Sequence, residues 1–141
     1  MRKSFKSLRD PLAFAKGKRE LEALQKQEDQ GKIDLYYFDE SGFTLDPYIP
    51  YAWQEPGTVI EIPARKSGRI NVLGFMNRKN DLHPFLFEQS VDTSVVIACF
   101  EAFSKTLKKK TVVVMDNASV HTSEEFEECL PQWKKQGLII K

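Results

Sequence analysis

The sequence predicts an α/β domain built on a mixed sheet. Apolar segments of strand length come first along the chain, and helical periodicities then alternate with aliphatic runs, with polar turns between them. The chain has 141 residues, the size of one domain with a single core. With 41% hydrophobic and 11% aromatic residues and only 7 Gly and 7 Pro, it is not a disordered, collagenous or low-complexity chain.

Asp10-Pro11 starts a helix, with a capping Asp and a proline at the first helical position. Leu12 to Gln30 is rich in Lys, Glu, Gln, Leu and Ala, and Gly31 supplies a stop. Its apolar positions Leu12, Ala15, Leu21 and Leu24 are sparse, so it is expected to lay one thin stripe on the domain. Residues 1–31 then form a linker or connecting helix and residues 32–141 the domain. Ile33–Phe38 reads as a buried strand. Residues 41–57 look like a loop, with Gly42, Pro47, Pro50, Pro56 and Gly57. Thr58–Ile62 suits a short strand, Arg65–Gly68 a turn and Arg69–Met76 a better strand. Asn77–Asp81 is a polar turn and His83–Glu88 returns, an antiparallel hairpin.

The pattern then changes. Asp92-Thr93-Ser94 caps a helix whose apolar residues Val95, Val96, Cys99, Phe100, Phe103 and Leu107 recur at helical spacing. Lys108–Lys110 are expected to end it, with the charge sign that suits a helix C-terminus. Thr111–Met115 is a β-branched run of the kind found in central strands covered on both faces. Thr122-Ser123-Glu124-Glu125 fits a capping box opening a helix to about Gln136. Gly137 closes that helix and Leu138–Ile140 begins another buried strand. Strands therefore come first and helix, strand, helix, strand follow, which suits a mixed sheet with an antiparallel portion feeding parallel crossovers.

No apolar run approaches the ~18 residues of a membrane span. Met1-Arg2-Lys3-Ser4-Phe5 is basic without the apolar stretch of a signal peptide, so a cytoplasmic chain with no membrane partner is expected. Cys99 and Cys129 lack metal or disulfide-framework spacing and read as reduced core residues. Net charge is +1, so the distribution of charge matters more than its sum. Basic residues gather in residues 1–20, at Arg65, Lys66 and Arg69, and at Lys105, Lys108, Lys109 and Lys110. Each cluster either meets phosphates or is a solvated surface.

Two acids stand at corresponding places. Asp39 follows the first strand and Asp116 follows Thr111–Met115, each where an apolar run gives way to polar residues. In sheets with parallel strands, ligand sites gather beyond the carboxyl ends of the strands. If these two strands are parallel neighbours, the two carboxylates converge, repel, and call for a hard divalent cation such as Mg²⁺ or Mn²⁺. Turn chemistry is the competing reading for each Asp taken singly. No glycine-rich phosphate loop follows any strand, which counts against an unrelated phosphate-binding domain.

Three segments occur in a telling order: Tyr37-Phe38-Asp39-Glu40-Ser41-Gly42-Phe43, then Tyr51-Ala52-Trp53 with Pro56-Gly57, then Val113-Val114-Met115-Asp116-Asn117-Ala118-Ser119-Val120-His121. Over roughly residues 30–141 the chain resembles the catalytic domain of IS630-type transposases, members of the Tc1/mariner group of DDE transposases. That resemblance implies an RNase H-like fold whose first three strands are antiparallel, with Asp39 on the first strand and Asp116 on the fourth, both as catalytic metal ligands. It implies a two-ion Mg²⁺ (or Mn²⁺) site, strand cleavage at transposon ends, and transfer of the freed 3′-hydroxyl into target DNA. Glu40, Asn117 and His121 become supporting candidates. Glu40 is either a ligand or a structural acceptor. His121 either positions a phosphate or water or packs at the following helix start. Trp53 either stacks on DNA or plugs the sheet, and Arg65, Lys66 and Arg69 are candidate DNA contacts.

The resemblance also sets a limit. The family's third carboxylate lies roughly thirty to forty residues past the second, on a helix after the fifth strand, whereas 25 residues follow Asp116 here. The expectation is an incomplete domain lacking the final helix, inactive or nearly so by itself and exposing an apolar patch. Glu124, Glu125, Glu127 and Glu128 are poor substitutes, because a metal site demands ligands in fixed geometry. A second reading makes the chain a non-catalytic DNA-binding or dimerisation fragment that modulates an intact transposase.

Overall fold

The computed structural model describes residues 10–44, 56–57, 68–116 and 123–141. The first element, α1 (Pro11–Asp29), is capped by Asp10, whose carboxylate accepts the Leu12 N–H at 2.9 Å. Gly31, at φ +72°, carries the chain out of it. Leu21 and Leu24 pack against a small cluster of Ile33, Leu35 and Val112. Leu12 lies outside this stripe at 80% exposure, so the stripe is thinner than the sequence suggests.

Strand β1 (Asp34–Thr44) runs well past the expected end at Phe38. Its continuation through Asp39, Glu40, Ser41 and Gly42 is held by an antiparallel ladder with β2 (Arg69–Asn77), which pairs from Tyr36↔Asn77 to Thr44↔Arg69. These residues look like a turn in isolation, and their strand geometry comes from a partner some thirty residues away. β3 (Leu82–Phe87) completes the hairpin. Asn77 fastens its turn, with Oδ1 accepting the N–H groups of Lys79 and Asp81 at 2.9 Å each.

Helix α2 (Thr93–Ser104) begins at Asp92, which caps the Val95 N–H at 3.0 Å. It ends at Ser104 with no basic residue in its last turn, so Lys108–Lys110 are not its terminus. β4 (Thr111–Val114), α3 (Glu124–Lys135) and β5 (Leu138–Ile140) follow. The cap of α3 is Ser123, which accepts from the Phe126 N–H, and not Thr122. Glu125 therefore occupies the second helical position and the expected capping box does not form. Pro131 inside α3 forfeits one intrahelical bond. The expected strand Thr58–Ile62, the loop residues 45–55 and the turn residues 65–67 lie outside the described residues.

The five strands order β3-β2-β1-β4-β5, antiparallel on the β3-β2-β1 side and parallel from β1 through β4 to β5. Side-chain alternation divides the sheet into two faces. Phe38, Leu73, Phe75, Val113 and Leu138 face α2 and α3, where they meet Phe100, Phe103, Phe126 and Trp133 in the main core. Leu35, Tyr37, Val112 and Val114 face α1. Beyond α1, that second face leaves Phe43, Ile70, Met76, Leu82 and Leu86 exposed. Among the described residues no helix is long and apolar enough to cross a membrane.

Candidate active site

The two acids are brought into line by the parallel ladder. β1 and β4 pair in step from Asp34↔Thr111 to Tyr37↔Val114. Two residues further along both strands stand Asp39 and Asp116. The chain stays extended past Val114, since Met115 N–H donates to Lys141 O at 3.1 Å. The same count along both strands puts Asp39 and Asp116 two residues beyond the last β1–β4 pair, at the same end of that parallel ladder. Both share the alternation parity of Tyr37 and Val114, which directs them to the face on which α1 packs.

The acids are exposed, because β1 loses its parallel partner here and continues with β2 alone. Asp39 Oδ1 accepts the N–H of Glu40 at 2.8 Å, which orients that carboxylate. On its other flank Asp39 pairs with Gly74, so no side chain of β2 crowds it. Sequence reading passed over Gly74, although a glycine inside a strand is a signal of close approach.

Glu40 points to the opposite face by the same alternation. There it lines a cavity of about 450 Å³ with Arg69, Asn71, Glu88 and Gln89. Asn71, only 4% exposed, organises this pocket. Its Oδ1 accepts from Arg69 Nε at 2.9 Å and its Nδ2 donates to Gln89 O at 2.7 Å. The Arg69 guanidinium lies against Gly42, where an added Cβ would stand 2.5 Å from Nη2. Arg69 is thus a held side chain and not a free surface arginine. Asn71 is the residue that sequence reading missed, and its role depends on partners too distant in sequence to be visible.

Trp53, Arg65, Lys66, Asn117 and His121 lie outside the described residues. Glu124, Glu125, Glu127 and Glu128 belong to α3, which packs on the face opposite that of Asp39. Among the described residues no group of three His, Cys, Asp or Glu side chains clusters as a metal site. What the fold assembles is a pair of hard oxygen donors at one sheet end, a set that suits Mg²⁺ or Mn²⁺ over softer metals.

The comparisons agree with this topology. No curated protein sequence matches the chain. Among solved structures, a Mos1 transposase paired-end complex with the left transposon end superposes with a TM-score of 0.53 at 15% identity, over 84% of this chain and 38% of that one. The Mos1 mariner paired-end complex with Mn gives 0.53 at 16% identity, covering 84% and 39%. The Mos1 strand transfer complex gives 0.55 at 14%, covering 86% and 38%. The chain therefore spans less than half the length of these proteins, and shares their RNase H-like fold. A family profile described as DDE superfamily endonuclease matches residues 34–140, a span that contains Asp39, Asp116 and the whole sheet. With that match over most of its length, the chain belongs to the DDE superfamily endonucleases.

Proposed function

We propose that this chain carries the catalytic sheet of a transposase of the Tc1/mariner group, IS630-type, acting on DNA phosphodiesters. The observation that supports it most is that Asp39 and Asp116 each stand two residues past the last pair of the parallel β1–β4 ladder. In this reading residues 32–141 are the catalytic portion and the segment containing α1 is a connector. The DNA substrates are transposon ends and target, and a second copy or an intact transposase is a further partner.

Asp39 and Asp116 are the metal ligands. Their carboxylates repel, and a divalent cation between them relieves that repulsion. A bound Mg²⁺ or Mn²⁺ supplies charge stabilisation at phosphoryl oxygens and acidifies a coordinated water or hydroxyl. The chain's own contribution is positional. The Glu40 N–H holds Asp39 Oδ1 and leaves Oδ2 for a ligand. The exposure of β1 from Asp39 onward gives a phosphodiester access to the pair. Arg69, steadied by Asn71, supplies a fixed cation for a DNA phosphate, and Arg65 and Lys66 add charge. Asn117 and His121 support Asp116, Glu40 serves as a structural acceptor, and Trp53 stacks on DNA.

The described residues supply two carboxylates where the resemblance implies three, and α3, which carries Glu124, Glu125, Glu127 and Glu128, packs on the far face. We therefore infer that the 141-residue polypeptide by itself cuts DNA poorly. Mn²⁺ binding followed by electron paramagnetic resonance tests the site. Asp39→Asn and Asp116→Asn should each weaken binding at least ten-fold while Glu40→Gln retains it. Undiminished binding in either Asp variant would overturn the assignment. Robust cleavage of transposon-end duplexes, abolished by Asp116→Ala, would overturn the inactivity.

A further inference from the structure

Five lysines crowd the end of the sheet opposite the acids. Lys108, Lys109 and Lys110 come from the segment between α2 and β4, and Lys134 and Lys135 from the last turn of α3. Together they border an open concavity of about 500 Å³ floored by Leu107 and Ile139. Their backbones are locked to each other. Thr111 N–H donates to Gly137 O at 2.8 Å, and a Cβ on Gly137 would stand only 3.8 Å from Lys110 Cα.

The local structure does not explain these charges. α2 ends four residues before Lys108, so Lys108–Lys110 answer no helix dipole. The last carbonyls of α3 are already taken by the backbone, the Gln136 N–H donating to Gln132 O and Trp133 O and the Gly137 N–H to Lys134 O. Only Lys109 has a carboxylate partner, Asp34 at 3.2 Å, and the other four lysines form no ion pair among the described residues. Like charges gathered this way repel one another, and an anion among them relieves that repulsion. The concavity offers no arginine fork and no buried polar side chain to grip one small anion. Point charges on flexible stems, spread over two segments, suit a row of phosphates.

We propose that this lysine-lined end is a second contact surface for the phosphate backbone of duplex DNA. It rests on the reading of the chain as a DNA-acting enzyme. The surface is separate from the acids: Thr111 to Asp116 is five residue steps, roughly 17 Å of extended chain. One phosphodiester cannot meet both ends, so the lysines hold a different stretch of duplex from the one offered to Asp39 and Asp116.

The test compares duplex binding across a salt series for the full chain and three variants. In the first, Lys108, Lys110, Lys134 and Lys135 are all changed to Gln. In the second only Lys108→Gln and Lys110→Gln are made. The third, a charge-matched control, changes Lys16, Lys18, Arg19 and Lys26 of α1 to Gln. Circular dichroism verifies that each variant is folded. At low salt the quadruple patch variant should bind at least ten-fold more weakly. The slope of log affinity against log salt should become shallower by about 3 to 4, with the double variant near half of that. The α1 variant should stay within a few-fold of the parent. Parental affinity in the patch variant, or an equal loss in the α1 variant, overturns the proposal and leaves the enzyme reading intact. Absence of duplex binding by the parent chain at any salt overturns the enzyme reading itself.

Discussion

Truncating Phe100 to alanine should bring the domain close to unfolding. Phe100 is fully buried on α2. Its ring centroid lies 4.8 Å from Phe38, 4.9 Å from Phe75, and 5.3 Å from both Phe126 and Trp133. One side chain therefore joins β1, β2 and α3. Phe→Ala in a core costs about 3–5 kcal/mol, and aromatic pairs contribute about 0.5–1.5 kcal/mol beyond burial. Four such neighbours, which do not add independently, place the loss at the upper end, about 4–5 kcal/mol. Domains of this kind have about 5–15 kcal/mol in all. In urea, at a slope near 2 kcal/mol/M, the midpoint should fall by about 2 M. Far-UV circular dichroism reads the transition. Phe100→Leu, which keeps most of the apolar volume, should lose only about 1–2 kcal/mol. A loss below about 1.5 kcal/mol for the alanine variant, with unchanged slope, would refute the view that this ring is the joint of the core.

Three other outcomes follow from the geometry. Burial pushes the Cys99 thiol up to about 11, and burial with Glu101 and Glu128 nearby also raises Cys129. Below pH 9 a thiol reagent should label Cys99 only after unfolding, and stability should decline as pH rises from the unfolded value of 9.0 through about 11, since the unfolded thiol ionises first. Gly42→Ala should displace the Arg69 guanidinium, and the Arg69 Nε–H signal in NMR should lose its protection while stability changes little. Gly137, at φ +91°, closes α3 in a conformation that disfavours a Cβ, so Gly137→Ala should cost about 1–2 kcal/mol by urea unfolding.

Much of the architecture is legible in the amino-acid order because it is written locally. Asp10-Pro11, Asp92 and Gly137 mark helix limits through their own backbone and side-chain chemistry, and Thr111–Val114 declares a central strand by its β-branched run. What escapes reading depends on distant partners. The far half of β1 is polar and glycine-bearing, and becomes strand only because β2 lies beside it. The link from Gly42 through Arg69 and Asn71 to Gln89 spans three segments with no local signature. Lys108–Lys110 follow a helix in sequence and suggest its terminus, yet α2 stops at Ser104. The two acids are an intermediate case. Each is recognisable as ending an apolar run, whereas their place at the same end of the sheet depends on the parallel pairing of β1 with β4.

That pairing rests on four residue pairs, from Asp34↔Thr111 to Tyr37↔Val114. A slip of a single residue between these strands would turn one carboxylate through the sheet to the side of Phe38 and Val113. The alignment of the two acids is therefore guarded at a distance, by apolar side chains of the core. Leu35 and Val112 on one side, and Phe38 and Val113 on the other, act as a ratchet that permits one alignment. Conservative changes at those positions are where the chemistry of the acids and the mechanics of the core become inseparable.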